Sequence, residues 1–144
     1  MITLQEFFQK CKYLPGRLQN HQSKEGFINE FKEVLGSKEA KDAFSVLYIF
    51  VCEEKIPRVK GKSNIIYIGK TDLTLRRRWL RYAKAFTSDF NHPFFSYVVA
   101  HYGAIKIAYL HFDTKQKLKQ AETDLLKDYY KQYKEFPPHN AQRK

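Results

Sequence analysis

Residues 44–69 read FSVLYIFVCEEKIPRVKGKSNIIYIG. The opening run, Phe44–Cys52, is aromatic and β-branched and too short for a typical helix, which predicts a buried strand. It is also far short of the roughly 20 residues a membrane-spanning helix needs. Asn64–Ile68 predicts a second strand, with Gly69 as its stop. The stretch between them, EEKIPRVKGKS, holds Pro57 and Gly61 and reads as a loop, part of which could extend either strand. Two strands this close predict a hairpin with an enlarged loop.

Toward the N-terminus, Leu4, Phe7, Phe8 and Cys11 recur at helical spacing, and Pro15-Gly16 marks a turn. Phe27, Ile28, Phe31, Val34 and Leu35 form a second helical stripe, stopped by Gly36. SKEAKDA then reads as a polar connector. Toward the C-terminus, LRRRWLRYAKAF (75–86) turns helical and basic, capped by Asp72 or Thr74. His92-Pro93 opens another helix that ends at Gly103. Ala104–Phe112 predicts a third strand. Asp113 or Thr114 caps a last helix to about Tyr133, and Pro137-Pro138 forces an extended tail. The order α-α-β-β-α-α-β-α predicts an α+β fold, a small three-stranded sheet flanked by helices. Residues 1–40 read as an N-terminal helical extension with two helices, and 41–144 as the main domain.

The chain has 144 residues, 43% of them hydrophobic and 16% aromatic, enough for the core of one domain and not the composition of a disordered chain. Two cysteines, Cys11 and Cys52, form no disulfide framework or CxxC zinc motif. With no apolar leader pattern, the expectation is a reducing, intracellular (cytoplasmic) protein that does not use a membrane. Lys and Arg number 26 against 15 Asp and Glu, a net charge of +11, which points to a polyanionic partner. His21, His92, His101, His111 and His139 are scattered and form no HExxH motif, so a histidine metal site is not expected. His139, beside Asn140, is the one histidine near the candidate residues.

The ordered elements resemble the GIY-YIG nuclease family over about residues 45–140. Val46-Leu47-Tyr48 stands where GIY would be, with Val for Gly and Leu for Ile. Tyr67-Ile68-Gly69 is an intact YIG and continues as Lys70-Thr71. YIGKTDLTLRRRWLRY fits the turn and helix that carry the family's essential Arg. Arg78 matches it best, and Arg77 is the alternative if the turn is one residue shorter. Tyr82 stands one helical turn further on. YVVAHYG resembles the family's helix end before the third strand. AETDLLKDYYKQYKEFPPHN resembles its metal-binding helix and trailing Asn, which maps to Glu122 and Asn140. Glu53–Ser63 is then an insertion whose Lys55, Arg58, Lys60 and Lys62 are placed to reach DNA.

The resemblance implies a metal-dependent DNA endonuclease of the stand-alone restriction or phage type, acting on double-stranded DNA. Cutting both strands would call for a homodimer. Its catalytic set would be Tyr48, Tyr67, Arg78, Tyr82, Glu122 and Asn140. Glu122 would hold Mg²⁺, with Mn²⁺ as a substitute at an oxygen site. The Tyr of the first motif would activate or orient water, and that of the second would lie beside the scissile phosphate. The chemistry suits these residue types. Arg is permanently charged and forks onto phosphate oxygens, and a divalent metal supplies Lewis acidity.

Each residue also has a plainer reading. The tyrosines would be core residues, Trp79 a core residue beside them, and Glu122 a surface helix residue near Lys119. Arg76, Arg77, Arg78 and Arg81 form either a solvated helix face or a phosphate-contact face. Lys70 is either a turn residue or a phosphate contact. A non-catalytic DNA- or RNA-binding module on the same fold is the alternative function. Binding alone gives no reason for a Glu on a basic surface unless a metal lies between it and phosphate.

Overall fold

The computed structural model describes residues 1–79 and 91–140. The elements run α1 (Leu4–Lys10), β1 (Lys12–Tyr13), α2 (Lys24–Leu35), α3 (Lys38–Asp42), β2 (Phe44–Pro57) and β3 (Lys62–Thr74). A helix α4 is described over residues 75–79. It is followed by α5 (Asn91–Tyr102), β4 (Lys106–His111) and α6 (Lys115–Tyr133). The strands form one antiparallel sheet in the order β1-β4-β2-β3, so the fold is α+β. Among the described residues, no helix is long and apolar enough to cross a membrane.

The sheet is covered on both faces. Val46, Tyr48, Phe50, Cys52 and Tyr67 face a core shared with Phe27 and Phe31 of α2, Trp79 of α4 and Phe95 of α5. Leu47, Ile49, Val51, Ile65 and Ile68 face a second core with Phe7 of α1 and Leu118, Ala121, Leu125 and Tyr129 of α6. A strand buried on both sides has no solvent face to mark with polar residues, which is why FSVLYIFVC runs apolar without alternating. The first forty residues thus pack into the same two cores as the rest.

Four features differ from the sequence reading. The sheet has four strands where three were expected. Lys12 and Tyr13 pair with Tyr109 and Ala108 on the outer edge of β4, a pairing two residues long and carrying no periodicity to read. SKEAKDA is a short helix, where a connector was expected. The Ser37 hydroxyl accepts from Ala40 N at 3.2 Å, and Ala40 is fully buried. The enlarged loop is mostly strand, leaving a turn at residues 58–61. Lastly, β3 continues past Gly69 to Thr74. Of the two candidate caps for α4, Thr74 serves, accepting from Arg77 N at 3.1 Å. Thr114 caps α6.

Candidate active site

Tyr48 on β2 lies directly opposite Gly69 on β3. Gly69 presents no side chain, so the Tyr48 ring falls across β3. A Cβ built on Gly69 would sit 2.7 Å from the Tyr48 Oη and Cζ and 2.8 Å from Tyr67 Cε2. The glycine is required here for close approach and does not end the strand. Tyr67 joins the same face by ordinary strand alternation, two residues before Gly69 in unbroken register, and a bulge follows immediately beyond it. Phe50 pairs with Tyr67 but Val51 pairs with Ile65, so Ile66 is the extra residue. The bulge puts Ile66 on the same face as Tyr67 and turns Ile65 to the other. The Tyr48 and Tyr67 ring centroids are 6.0 Å apart, and Trp79 meets the Tyr48 ring edge-on at 5.4 Å.

Helix α4 brings the arginine. Leu75 N donates to Ala43 O at 2.8 Å, fixing the helix start beside the entry to β2. Leu75 and Trp79, four residues apart, point into the core. Arg78 therefore lies on the flank, half-buried, while Arg77 is exposed. Of the two arginines considered from sequence, Arg78 is the one that acts on Tyr48. Burial and the neighbouring Tyr67 push the Tyr48 phenol strongly up, and the Arg78 guanidinium opposes them in part through its charge and donor N–H groups. Among the described residues, no group completes a well-aligned hydrogen bond to the Tyr48 Oη, so Arg78 acts on it chiefly by proximity. Tyr48 is consequently a neutral phenol at physiological pH.

This has a consequence for stability. An unfolded tyrosine ionises near pH 10 whereas folded Tyr48 holds its proton, so above that pH the native state binds more protons than the unfolded one. Stability is then expected to fall as pH rises beyond about 10, by up to about 1.4 kcal/mol per pH unit for this group. Urea unfolding at successive alkaline pH values checks this, and the Tyr48→Phe variant should show a shallower decline.

The C-terminal tail completes the cluster. After α6 the chain reaches the free edge of β3, where the tail expected to be extended instead turns. Asn140 N donates to Pro137 O at 3.0 Å, which Pro138 permits because it needs no N–H partner. His139 N donates to the carbonyl of the bulged Ile66 at 2.9 Å. Asn140 Oδ1 accepts from Ile68 N at 2.9 Å, and Asn140 Nδ2 donates to Ile68 O at 2.8 Å. Three hydrogen bonds thus hold the residues on either side of Tyr67. The buried His139 ring stands edge-on to Tyr67 with centroids 5.2 Å apart and packs on Phe94 and Phe95. Replacing Asn140 by Ala leaves both backbone groups of Ile68 without this partner. It should cost about 1–3 kcal/mol, read as a lower urea midpoint with an unchanged m-value.

Glu122 sits in the middle of α6, half-buried, beside the inward-facing Ala121 and Leu125. Helix α6 packs on the sheet face opposite the tyrosines. Asn140 is anchored on the edge strand β3, which borders both layers. Among the described residues, no group of three or more His, Cys, Asp or Glu comes together. The acidic donor considered at Glu122 is a carboxylate. That suits Mg²⁺ or Mn²⁺, which take hard oxygen ligands and retain waters, and not a structural zinc ion.

Lys70, next to Gly69, and Arg77 are exposed near the cluster, with Arg76 half-buried. Arg81 and Tyr82 lie outside the described residues. Lys60 and Lys62 are exposed at the far end of the hairpin, so Lys62 stands about 16 Å along β3 from Tyr67. Arg58 does not project toward a partner as the sequence suggested. Its Nη2 bridges Glu135 Oε1 at 2.7 Å and donates to Phe136 O at 2.8 Å. Sequence reasoning missed Gly69 as the seat of the Tyr48 ring, the Ile66 bulge and the His139 ring. Only the Pro-Pro-His-Asn run gave a signal for any of them.

Comparison with protein-family models, curated proteins and solved structures finds no match for this chain.

Proposed function

We propose that this chain is a metal-dependent DNA endonuclease of the GIY-YIG type. The observation that carries the reading is the meeting of Tyr48, Tyr67 and Arg78 over Gly69, beside an Asn140 fastened to Ile68. Arg78 would bear on the phosphate oxygens, where negative charge develops as the ester is cleaved. Tyr48, its proton held by burial, would donate a hydrogen bond and orient water or phosphate, and does not serve as a ready base. Tyr67 would contact the phosphate beside it. Glu122 would hold Mg²⁺. When bound, that ion supplies Lewis acidity toward the leaving oxygen.

A second reading, a non-catalytic nucleic-acid-binding module, is favoured by one observation. Tyr48 is fully buried and Tyr67 is 3% exposed, as core rings would be. Cleavage of supercoiled plasmid with Mg²⁺ or Mn²⁺, with and without EDTA, separates the two readings. The native chain should cut only with metal, and Glu122→Ala should not cut. Tyr48→Phe removes a hydroxyl that makes no well-aligned hydrogen bond. It should leave the melting temperature nearly unchanged and slow cutting by about 10²-fold, the range for loss of one positioned donor. Binding of DNA without cutting by any of the three proteins would establish the second reading. Linear product would call for two sites acting together, as in a homodimer, whereas open circles would indicate nicking.

A further inference from the structure

The turn of the β2–β3 hairpin docks on the end of α6. Lys60 N donates to Tyr133 O at 3.1 Å, and Val59 N donates to the Glu135 carboxylate. This docking gathers Val59, Tyr130 and Phe136 on one surface, 74%, 48% and 40% exposed. The Tyr130 and Phe136 rings lie 5.2 Å apart. Lys60, Lys62 and Lys134 belong to the same hairpin tip and helix end and are all exposed. Among the described residues none of these lysines forms an ion pair, and the nearby Glu135 is already bridged to Arg58. Two exposed aromatic rings among unpaired cations match a single strand of nucleic acid, with phosphates on the lysines and a base against the rings.

The path of the chain links this surface to the candidate active site. From Phe136 the tail turns at the free edge of β3 to Asn140, which is bonded to Ile68 beside Tyr67. Asn140 N donates to Pro137 O at 3.0 Å, a turn that keeps Pro137 and Asn140 within about 7 Å. Phe136 is then at most about 11 Å from Asn140, or about three phosphates of a stacked strand at about 3.4 Å each. We propose that the hairpin tip and the end of α6 form a second nucleic-acid contact that takes an unpaired strand within about three nucleotides of the cutting site. This inference rests on the nuclease reading and deepens it. The favoured substrate becomes DNA with an unpaired segment flanking the cut, because a fully paired duplex offers no free base face to Tyr130 and Phe136.

The test is binding in EDTA, followed by fluorescence anisotropy, so that cutting plays no part. The probes are a labelled duplex and the same duplex with an unpaired overhang of about 6 nucleotides, within the span of known single-strand sites. The native chain should bind the overhang probe about tenfold more tightly than the duplex. Tyr130→Ala/Phe136→Ala should abolish that difference while leaving duplex binding unchanged. Lys60→Ala/Lys134→Ala should reduce the slope of log affinity against log salt by about 1.4 on the overhang probe, about 0.7 for each lost phosphate contact.

Because Phe136 leads into the tail, thermal melting accompanies each variant, and the lysine pair supplies an independent arm. Equal binding of both probes by the native chain overturns the proposal, as does an unchanged affinity in both double variants. Tighter binding to vesicles of anionic lipid than to either probe also overturns it, assigning the patch to a membrane surface. If plasmid is never cut but the overhang preference and its loss are observed, the nuclease reading fails and the contact stands. If plasmid is cut without an overhang preference, the contact fails and the nuclease reading stands.

Discussion

Replacing Arg78 by Ala is expected to lower metal-dependent cleavage by about 10³-fold, the upper range for loss of one preorganised charge stabiliser. Arg78 is the permanently charged group beside the two tyrosines. Its half-buried position lets it act where water screens it less than it screens Arg77. Leu75 and Trp79 hold α4 in the core, so the loss should be catalytic more than structural. Arg78→Lys keeps the charge but loses the fork that grips two phosphate oxygens, and should recover only part of the rate. Arg77→Ala should have a small effect, confined to DNA affinity and its salt dependence. Single-turnover cleavage at saturating protein, alongside melting curves, checks all three. Equal rates for the native chain and Arg78→Ala would remove the arginine from the chemistry.

The second large effect is expected at Gly69. An added methyl there would lie 2.7 Å from the Tyr48 ring tip and 2.8 Å from Tyr67. Neither ring has free space to retreat into. Tyr48 is fully buried and flanked by Phe50, Tyr67 and Trp79. Overpacking of this kind costs about 1–3 kcal/mol. In a domain of this size that corresponds to a fall in melting temperature of about 3–10 °C. Because the strain falls on both tyrosines together, Gly69→Ala should also slow cutting more than Tyr48→Phe, which removes one hydroxyl and adds no strain. Differential scanning calorimetry and the cleavage assay read the two effects separately. A variant as stable as the native chain would show that the rings yield, and the close approach would then not account for the glycine.

The elements that could be read along the chain were those whose cause is local. Phe44–Cys52 is a strand because its residues are β-branched and aromatic, and Thr114 starts α6 because its hydroxyl satisfies Lys117 N. Asn140 was singled out only through the motif resemblance, since its bonds to Ile68 join residues 72 positions apart. Gly69 was misread for the same reason that the strand and the cap succeeded. A glycine in a strand pattern is a stop signal by local rules, whereas here its cause is a ring arriving from the neighbouring strand.

The sequence by itself determined the hairpin, most of the helices and the basic character. Each of these follows from side chains within a few positions of one another. The tertiary structure alone decided the fourth strand, the Ile66 bulge, and the seating of the Tyr48 ring over Gly69. It also put Glu122 in the layer across the sheet from the tyrosines, and drew Arg58 into an ion pair with Glu135. These features depend on which strands pair, in what register, and on what packs against each face. Such contacts join residues far apart along the chain, where sequence periodicity carries no information about their partners.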